Sequence, residues 1–354
     1  MLSVILPNFN HGRLIDRALD ALLKQKPLPD EIVVIDDAST DDSLTIIKQL
    51  AAETPRIRVA ANVQNIGVVG TLNIGLAMSR EPYVYFAAAD DWIMPGFFEL
   101  AIRMLEAHPH CGLFCGETIL IDGTSGCEIG TRPITRPKYR EGYIDAKSAR
   151  HLLLQTDNWI LTGAAVFRRN AILAAGGLDV GLGSFADGYL SRKIALADGF
   201  IFSPTVVSTW RIFESSISRG TALDLCRAQK FLQIGSDRIR SDPVFPSWYV
   251  DMFQKRWRFS VCRLALEVKP FDRSILFSIG AISLLDRTVL KVIWATSLPR
   301  LCRIATLAWL WFRLHPMSLF AVLRTAISRR LERLGYWPLG TPRVRLKSCN
   351  SNER

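Results

Sequence analysis

The segments EIVVIDDAST (31–40) and PYVYFAAADDW (82–92) decide the fold of this chain, because each is a short apolar run that ends in two aspartates. Apolar runs rich in β-branched or aromatic residues, followed by turn-forming residues, predict buried β-strands that end in loops. In open α/β sheets, ligands bind at the carboxyl ends of the strands. Asp36-Asp37 and Asp90-Asp91 would lie there, where carboxylates suit a hard divalent cation and, through it, a phosphate-bearing substrate.

Strand and helix patterns alternate through the first part of the chain. Apolar strand-like runs at SVILPNF, EIVVI and IRVAAN are each followed by a helical pattern, and PYVYFAAADD is a fourth strand-like run. This alternation predicts an α/β fold with a mainly parallel sheet and helices on both faces. A helix near 95–107 and a strand at GLFCGETILID follow, whereas the turn-rich segment 122–150 predicts a mobile excursion.

The net charge of +11 is distributed unevenly along the 354 residues. Residues 1–215 carry 20 Lys and Arg against 24 Asp and Glu, whereas residues 216–354 carry 24 against 9. We therefore predict two domains, an α/β domain at 1–215 and a basic, amphipathic helical region at 216–354. The basic excess points to an anionic partner. A membrane surface fits better than nucleic acid, because no recognition motif is present and bulky aliphatic residues accompany the basic ones.

The C-terminal region alternates apolar and basic residues. In TLAWLWFRLHPMSLFAVLRTAISRRLERL (306–334) the pattern is typical of helices that lie in a membrane interface. The alternative is a helical subdomain whose apolar face packs on the sheet. The membrane interpretation is favoured because Trp content and basic excess rise together. The strand-like start LSVILP has no basic leader, so we expect a cytoplasmic protein, peripheral at the inner face of the cytoplasmic membrane.

Four segments together resemble a known enzyme family. SVILPNFNHGRLIDRALDALLKQ, EIVVIDDASTDDSL, NIGVVGTLNIGLA and FAAADDWIMPG, in this order and spacing, are similar to the family 2 inverting glycosyltransferases, which have the GT-A fold. The resemblance covers about residues 1–215 and does not extend into the C-terminal third. It implies a nucleotide-sugar donor, a saccharide or lipid-linked acceptor, and Mg²⁺ or Mn²⁺ as cofactor.

The resemblance also implies a role for individual residues. Asp187, in FADGYL, matches the catalytic base, and Asp91 matches the carboxylate that holds the metal on the diphosphate. The remaining matched positions are implied to contact the nucleotide or the leaving diphosphate, and they are Pro7, Asn8, Phe9, Asp37, Asn65, Gly67, Asn73, Asp90, Trp210 and Arg211. Asp36 is expected to be structural, a strand-end carboxylate that accepts backbone N–H groups.

Three alanines depart from the family pattern. Ala38 stands where Gly is commoner, and Ala89 and Ala186 replace acidic residues near the metal and the base. The predicted function is transfer of one sugar, with inversion, to a hydroxyl of a lipid-linked or cell-surface polysaccharide acceptor. Because of these departures, the alternative is an inactive nucleotide-sugar-binding or membrane scaffold protein. A dinucleotide oxidoreductase is disfavoured, because no GxGxxG follows a strand.

Overall fold

The computed structural model describes residues 1–213, 217–268, 271–295 and 298–334. The chain divides into two compact units. The first, which we call the sheet unit, comprises Met1–Leu152, Asp157–Phe213 and the described residues from 321 to 334. The second, which we call the helical unit, comprises Leu153–Thr156 and the described residues between 217 and 320.

In the described residues, the sheet unit contains one sheet of ten strands. The strands are β1 (Leu2–Asn8), β2 (Glu31–Asp36), β3 (Ile57–Ala61), β4 (Tyr83–Phe86), β5 (Trp92–Ile93), β6 (Leu113–Asp122), β7 (Glu128–Arg132), β8 (Gly142–Ile144), β9 (Ala165–Arg168) and β10 (Phe200–Ile212). They run in the order β3-β2-β1-β4-β9-β6-β10-β5, with β7 beside β6 and β8 beside β10. The predicted mainly parallel α/β sheet is confirmed.

The strand directions decide which loops meet. Strands β1 to β4 are parallel, β9 is antiparallel to both β4 and β6, and β10 is parallel to β6. Therefore β6 and β10 run in the same direction as β1 to β4. The carboxyl ends of β2, β4 and β10 thus lie at one edge of the sheet, where ligands bind in open α/β folds.

Helices flank this sheet and build the second unit. They are α1 (Gly12–Leu23), α2 (Ser43–Glu53), α3 (Val68–Met78), α4 (Phe97–Ala107), α5 (Ala146–Leu152), α6 (Arg169–Ala174), α7 (Ala186–Asp198), α8 (Ile217–Leu223), α9 (Leu225–Ser241), α10 (Tyr249–Glu267), α11 (Leu284–Ile293), α12 (Pro299–Leu314) and α13 (Leu319–Arg333). Helix α1 is amphipathic. It buries Ile15, Leu19 and Leu22 in the main core of the sheet unit, and its opposite face is polar.

The segment 122–150 has more regular structure than its turn-rich sequence predicts. Strand β7 pairs antiparallel with β6, strand β8 pairs antiparallel with β10, and α5 begins at Ala146. Both short strands satisfy backbone groups of long neighbouring strands that would otherwise lack partners. The expectation of a mobile excursion is wrong for these residues.

The C-terminal helix α13 is fastened to the sheet unit by buried charges. The guanidinium of Arg136 donates to both carboxylate oxygens of Glu117 on β6, over 2.8 and 2.9 Å, and also to Glu332 of α13. Arg329 of α13 donates to Glu117 and to the Pro133 carbonyl. The described part of α13 from Ala321 therefore groups with the sheet unit, and the units differ from the predicted division at residue 215.

The helical unit has a hydrophobic core of its own. Cys262 of α10, Leu276, and Leu310 of α12 are completely or almost completely buried in it. The buried carboxylate of Asp286 accepts from the guanidinium of Arg313 over 2.8 Å. Within the described ranges no single helix has the length and apolarity to cross a bilayer, and α12 and α13 meet such a criterion only jointly, as two segments broken at 315–318.

We predict that Ala38→Gly stabilises the protein by about 0.5–1 kcal/mol. Ala38 has φ +60°, in the left-handed region, which costs a non-glycine residue about 1–2 kcal/mol. Part of that gain is offset by the larger backbone entropy that Gly loses on folding. Urea unfolding measures the change. As a control, Ala51→Gly within α2 should instead destabilise by about 1 kcal/mol, and equal destabilisation by both changes would contradict the interpretation.

Candidate active site

The first aspartate after β2 is structural. Both carboxylate oxygens of Asp36 are occupied, since Oδ1 accepts from Asn8 Nδ2 (2.8 Å) and Ser39 Oγ (2.6 Å) and Oδ2 accepts from the Ser39 backbone N–H (2.9 Å). This agrees with the expected role. The side chain of Asn8 is only 1% exposed because it turns inward to Asp36, so the structure gives Asn8 a packing role at the end of β1.

The second aspartate, Asp37, holds the NIG loop. Its carboxylate accepts the backbone N–H groups of Ile66 and Gly67, each over 2.9 Å, and the side-chain amide of Asn62 over 2.8 Å. The side chain of Asn65 accepts the same Gly67 N–H over 3.1 Å. The predicted positions Asp37, Asn65 and Gly67 therefore form one hydrogen-bonded group at the carboxyl end of β2.

The loop after β1 lies beside this group. The Asn8 carbonyl accepts the Asp37 N–H over 2.8 Å. Pro7 is partly buried near the end of the strand, and the ring of Phe9 is 42% exposed. An exposed aromatic ring at this edge is a suitable surface for stacking a nucleotide base. Pro7 and Phe9 thus flank the residue whose carbonyl accepts the Asp37 N–H.

The side chain of Asn73 pairs with the backbone of Leu178. Its side-chain amide donates to the Leu178 carbonyl over 2.7 Å and accepts the Leu178 N–H over 3.1 Å. This pairing fastens α3 to the loop that leads into α7. Asn73 is therefore placed to position the segment before Asp187, rather than to close over a nucleotide with the NIG loop.

Asp91 lies between β4 and β5 and contacts the end of β10. Its Oδ1 accepts the backbone N–H of Arg211 over 2.9 Å. Burial, followed by the charge of the partly buried Asp90, raises the pKa of Asp91 to about 8. A carboxyl group with so high a pKa is poorly solvated and lies beside a like charge, which is the environment in which a cation would be most stabilising.

A turn at Thr162–Ala164 joins Asp91 to Asp187. The Thr162 hydroxyl donates to Asp187 Oδ2 over 3.0 Å. The next residue is Gly163, where an added Cβ would come within 3.8 Å of Asp91 Oδ2. The Tyr85 hydroxyl fixes this turn by donating to the Gly163 carbonyl over 3.1 Å. Two carboxylates remote in sequence thus lie against neighbouring residues of one turn.

Asp187 lies in the first turn of α7. Its Oδ1 accepts the Gly188 N–H over 2.6 Å. Burial raises the pKa of Asp187, although the hydrogen bonds from Gly188 and Thr162 oppose that shift. A carboxylate whose pKa is raised accepts a proton more readily at neutral pH. The geometry is suited to a general base.

Two guanidinium groups stack on Trp92. The Arg17 side chain of α1 lies 3.7 Å from the ring centroid and that of Arg211 lies 5.2 Å from it. Thr209 and Arg211 contact Trp92 and Asp91. Trp210 lies between them in β10, so its side chain points to the opposite face of the sheet and is not brought to Asp91.

Sequence reasoning missed several residues of the site. Thr162, Gly163, Tyr85, Trp92 and Arg17 carry no motif of their own, and only their contacts with the acidic groups and with Arg211 show their place. For Trp92 a signal existed in its position directly after Asp90-Asp91.

The carboxylates fit a divalent cation that is shared with a ligand. Among the described residues, no group of three or more His, Cys, Asp or Glu could hold a metal ion by itself. Asp91, with Asp90 beside it, supplies the one or two carboxylates that Mg²⁺ takes when phosphate oxygens complete its coordination. Asp91 would hold such an ion, with Asp90 as the second candidate ligand.

Comparisons with known proteins agree with this geometry. Residues 3–173 match the family model described as Glycosyl transferase family 2. An uncharacterized glycosyltransferase of Haemophilus influenzae is 32% identical over 110 residues, which are 31% of this chain and 34% of that protein. The chain covers between about a third and two thirds of the lengths of the curated relatives that it matches first.

Two solved structures share the fold. Residues 1–349 of TarS from S. aureus, in complex with UDP-GlcNAc, superpose with a TM-score of 0.58 at 17% identity, over 95% of this chain and 93% of that one. The mannosyltransferase PcManGT from Pyrobaculum calidifontis, in complex with GDP-Man and Mn²⁺, gives 0.55 at 19% identity, over 92% and 86%. At these identities the likeness shows the fold alone.

Residues 3–173 are therefore similar to glycosyltransferase family 2, within a sheet of the predicted type. The predicted resemblance and the predicted fold class are confirmed for this part of the chain.

We predict that Asp91→Asn stabilises the protein at pH 8 by roughly 1–3 kcal/mol. This is less than the whole pKa shift multiplied by about 1.36 kcal/mol per unit, because solvent screens a side chain that is only partly buried. Because the folded-state pKa of Asp91 is raised to about 8 from 3.8, the folded state binds the proton more tightly. Stability is therefore lost as pH rises between these values, and Asn removes that loss.

Urea unfolding in EDTA at pH 4 and pH 8 measures this effect. The difference in the free energy of unfolding between wild type and Asp91→Asn should be near zero at pH 4 and should grow towards pH 8. Asp16→Asn, on the exposed face of α1, serves as the matched control and should show no such growth. An Asp91→Asn variant that is less stable than wild type at pH 8 would contradict the prediction.

Proposed function

We propose that the protein transfers one sugar, with inversion, from a nucleotide-sugar donor to a hydroxyl of a lipid-linked or cell-surface polysaccharide acceptor. The observation that carries this proposal is the convergence of Asp91 and Asp187 on the turn Thr162–Ala164. The nucleotide sugars bound by TarS and PcManGT, and the Mn²⁺ of the latter, support the class of donor and the use of a metal.

In this reaction, Asp187 takes the proton of the acceptor hydroxyl as the new bond forms. The acceptor oxygen attacks the anomeric carbon from the face opposite the diphosphate, whose C–O bond breaks, so that one displacement inverts the configuration. The Thr162 hydroxyl orients Oδ2 of Asp187 for this task. Proton removal of this kind contributes roughly 10²–10⁴ in rate.

The leaving diphosphate needs positive charge. A divalent cation held by Asp91 would stabilise the negative charge that develops on it. Arg17 and Arg211 present two further cationic groups on Trp92, beside Asp91. The exposed ring of Phe9 and the group around Asp37 would receive the nucleotide base and ribose.

We place the reaction in the cytoplasm, at the inner face of the membrane, because nucleotide-sugar donors are hydrophilic and a lipid-linked acceptor would be held there. The test is transfer or donor hydrolysis by purified protein with Mn²⁺, across UDP, GDP and dTDP sugars. Asp187→Asn should lose about 10²–10⁴-fold in rate, while Asp16→Asn should keep it. Metal-dependent nucleotide binding with no turnover in wild type would instead favour an inactive binding or scaffold protein, as Ala89 and Ala186 make conceivable.

We predict that Thr162→Val shifts the acidic limb of the pH–rate profile upward by about 0.5–1 pH unit. The hydroxyl stabilises the ionised form of Asp187, and a hydrogen bond worth about 1 kcal/mol corresponds to somewhat less than one pKa unit. The rate falls as pH decreases through the raised pKa, because the base is then protonated. Activity measured as kcat/KM from about pH 5 to 9 reports the shift. A lowered rate with an unmoved limb would assign Thr162 a merely structural role.

We predict that Mn²⁺ and a nucleoside diphosphate bind cooperatively. Because the described residues offer only Asp91 and Asp90 at this point, the ion alone should bind weakly, and the diphosphate should tighten it at least about tenfold by completing its coordination. Calorimetry with Mn²⁺ alone and with UDP or GDP measures the coupling. Asp91→Ala should abolish the coupling between metal and nucleotide binding, whereas the control Asp20→Asn on α1 should keep it. Tight metal binding without nucleotide would contradict the proposed ligand set.

A further inference from the structure

Helix α12 exposes an apolar face. Its core-facing residues are Cys302, Thr306, Leu310 and Leu314. The opposite face, which is exposed, carries Leu301, Ile304 and Phe312, with 59%, 65% and 64% of their surfaces accessible, and the alanines at 305 and 308 complete the row. The spacing follows the helical repeat, so these residues form one continuous stripe. An exposed helix face normally carries polar residues, and an apolar one marks an interaction surface.

Helix α13 repeats the pattern independently. Its exposed stripe, with the accessible fraction of each residue, is Phe320 (76%), Leu323 (53%), Ile327 (59%), Leu331 (37%) and Leu334 (61%), the last just beyond the helix. On the other side of the helix, Thr325, Arg329 and Glu332 contact the sheet unit through Arg136 and Glu117. The helix is thus held by buried polar contacts, and its large aliphatic residues face outward.

The charges beside these stripes are almost all positive. Residues 299–333 contain seven arginines and a single acidic residue, Glu332. Glu332 is already paired with Arg136, and Arg313 and Arg329 are paired with buried carboxylates. Arg300, Arg324, Arg330 and Arg333 are exposed. Large apolar side chains interleaved with exposed arginines complement a surface that has an anionic outer layer over an apolar interior.

We infer that the exposed stripe of α13 inserts into the headgroup region of an anionic lipid bilayer, and that the stripe of α12, taken by itself in the helical unit, is a second surface of the same kind. A helix lying in the interface buries its apolar face to about 5–10 Å, while flanking arginines contact lipid phosphates. A second copy of the chain fits less well, because a self-complementary contact would bring the exposed arginines of both copies together. The inference rests on the proposed function and deepens it, since a lipid-linked acceptor is presented at such a surface.

Co-sedimentation with vesicles tests the inference. Full-length protein should bind phosphatidylcholine vesicles containing one third phosphatidylglycerol, and bind pure phosphatidylcholine weakly. The double variant Leu323→Gln/Ile327→Gln should lose at least about tenfold in binding, because two aliphatic anchors are removed while helix propensity is kept. Arg330→Gln/Arg333→Gln should lose about 30-fold on anionic vesicles and little on neutral ones.

Leu173→Gln is the matched control. Leu173 lies in α6 and is 47% exposed, close to the value for Leu323, so a general effect of removing an exposed leucine would appear there too. Circular dichroism of each variant confirms that it is folded. Ile304→Gln/Phe312→Gln tests α12 in the same way and should also lose at least about tenfold.

Two results would overturn the inference. The first is that wild-type protein binds neither kind of vesicle. The second is that sedimentation velocity without lipid shows a dimer, and that substitution of a stripe breaks this dimer without changing vesicle binding. Donor hydrolysis in lipid-free buffer separates this inference from the proposed function. Stripe variants that lose vesicle binding but keep the wild-type rate of hydrolysis would support both the membrane inference and the proposed function. A wild-type protein that binds vesicles but shows no hydrolysis would count against the proposed function alone.

Discussion

The hydrogen bond from Thr162 to Asp187, next to a glycine that lies against Asp91, is the contact on which the site depends. Asp91 follows a strand near the middle of the sheet, and Asp187 begins a helix far along the chain. In the part of the chain that the structure describes, the turn Thr162–Ala164, held by Tyr85, contacts one carboxylate and lies against the other. A displacement of this turn would therefore change the position of one carboxylate relative to the other.

Both carboxylates are held in unfavourable surroundings. Burial raises the pKa of each, and for Asp91 the charge of Asp90 adds to it. Such environments lower folding stability, yet they give a carboxyl group high affinity for a cation or for a proton. By contrast, Asp36 and Asp37 accept hydrogen bonds from the backbone N–H groups of the loops that follow β2 and β3. Two acidic pairs that look alike in sequence thus have different surroundings, because their hydrogen-bond partners differ.

The fold and the acidic positions were largely predictable because they depend on local patterns. Apolar runs ending in aspartate identified β2 and β4, and the alternation with helices identified the parallel sheet. The partners of those aspartates were not predictable, because Thr162, Arg17 and Trp92 reach the site through tertiary packing. Asn73 illustrates the limit, since its match to a family position did not show that its amide pairs with Leu178. Strands β7 and β8 were missed because their pairing with distant strands outweighs a turn-rich composition.

The buried cluster of Glu117, Arg136 and Glu332 makes the rest of the sheet unit depend on α13. Glu117 and Arg136 are 1% and 5% exposed, and α13 supplies two of their ionic partners. A shortened chain that stops before α13 would remove both of these partners, and the loss of a partner from a buried ion pair costs about 3–5 kcal/mol. Loss of activity on truncation would then report damage to the sheet unit itself. Surface point substitutions on α13 leave that cluster intact and separate anchoring from folding.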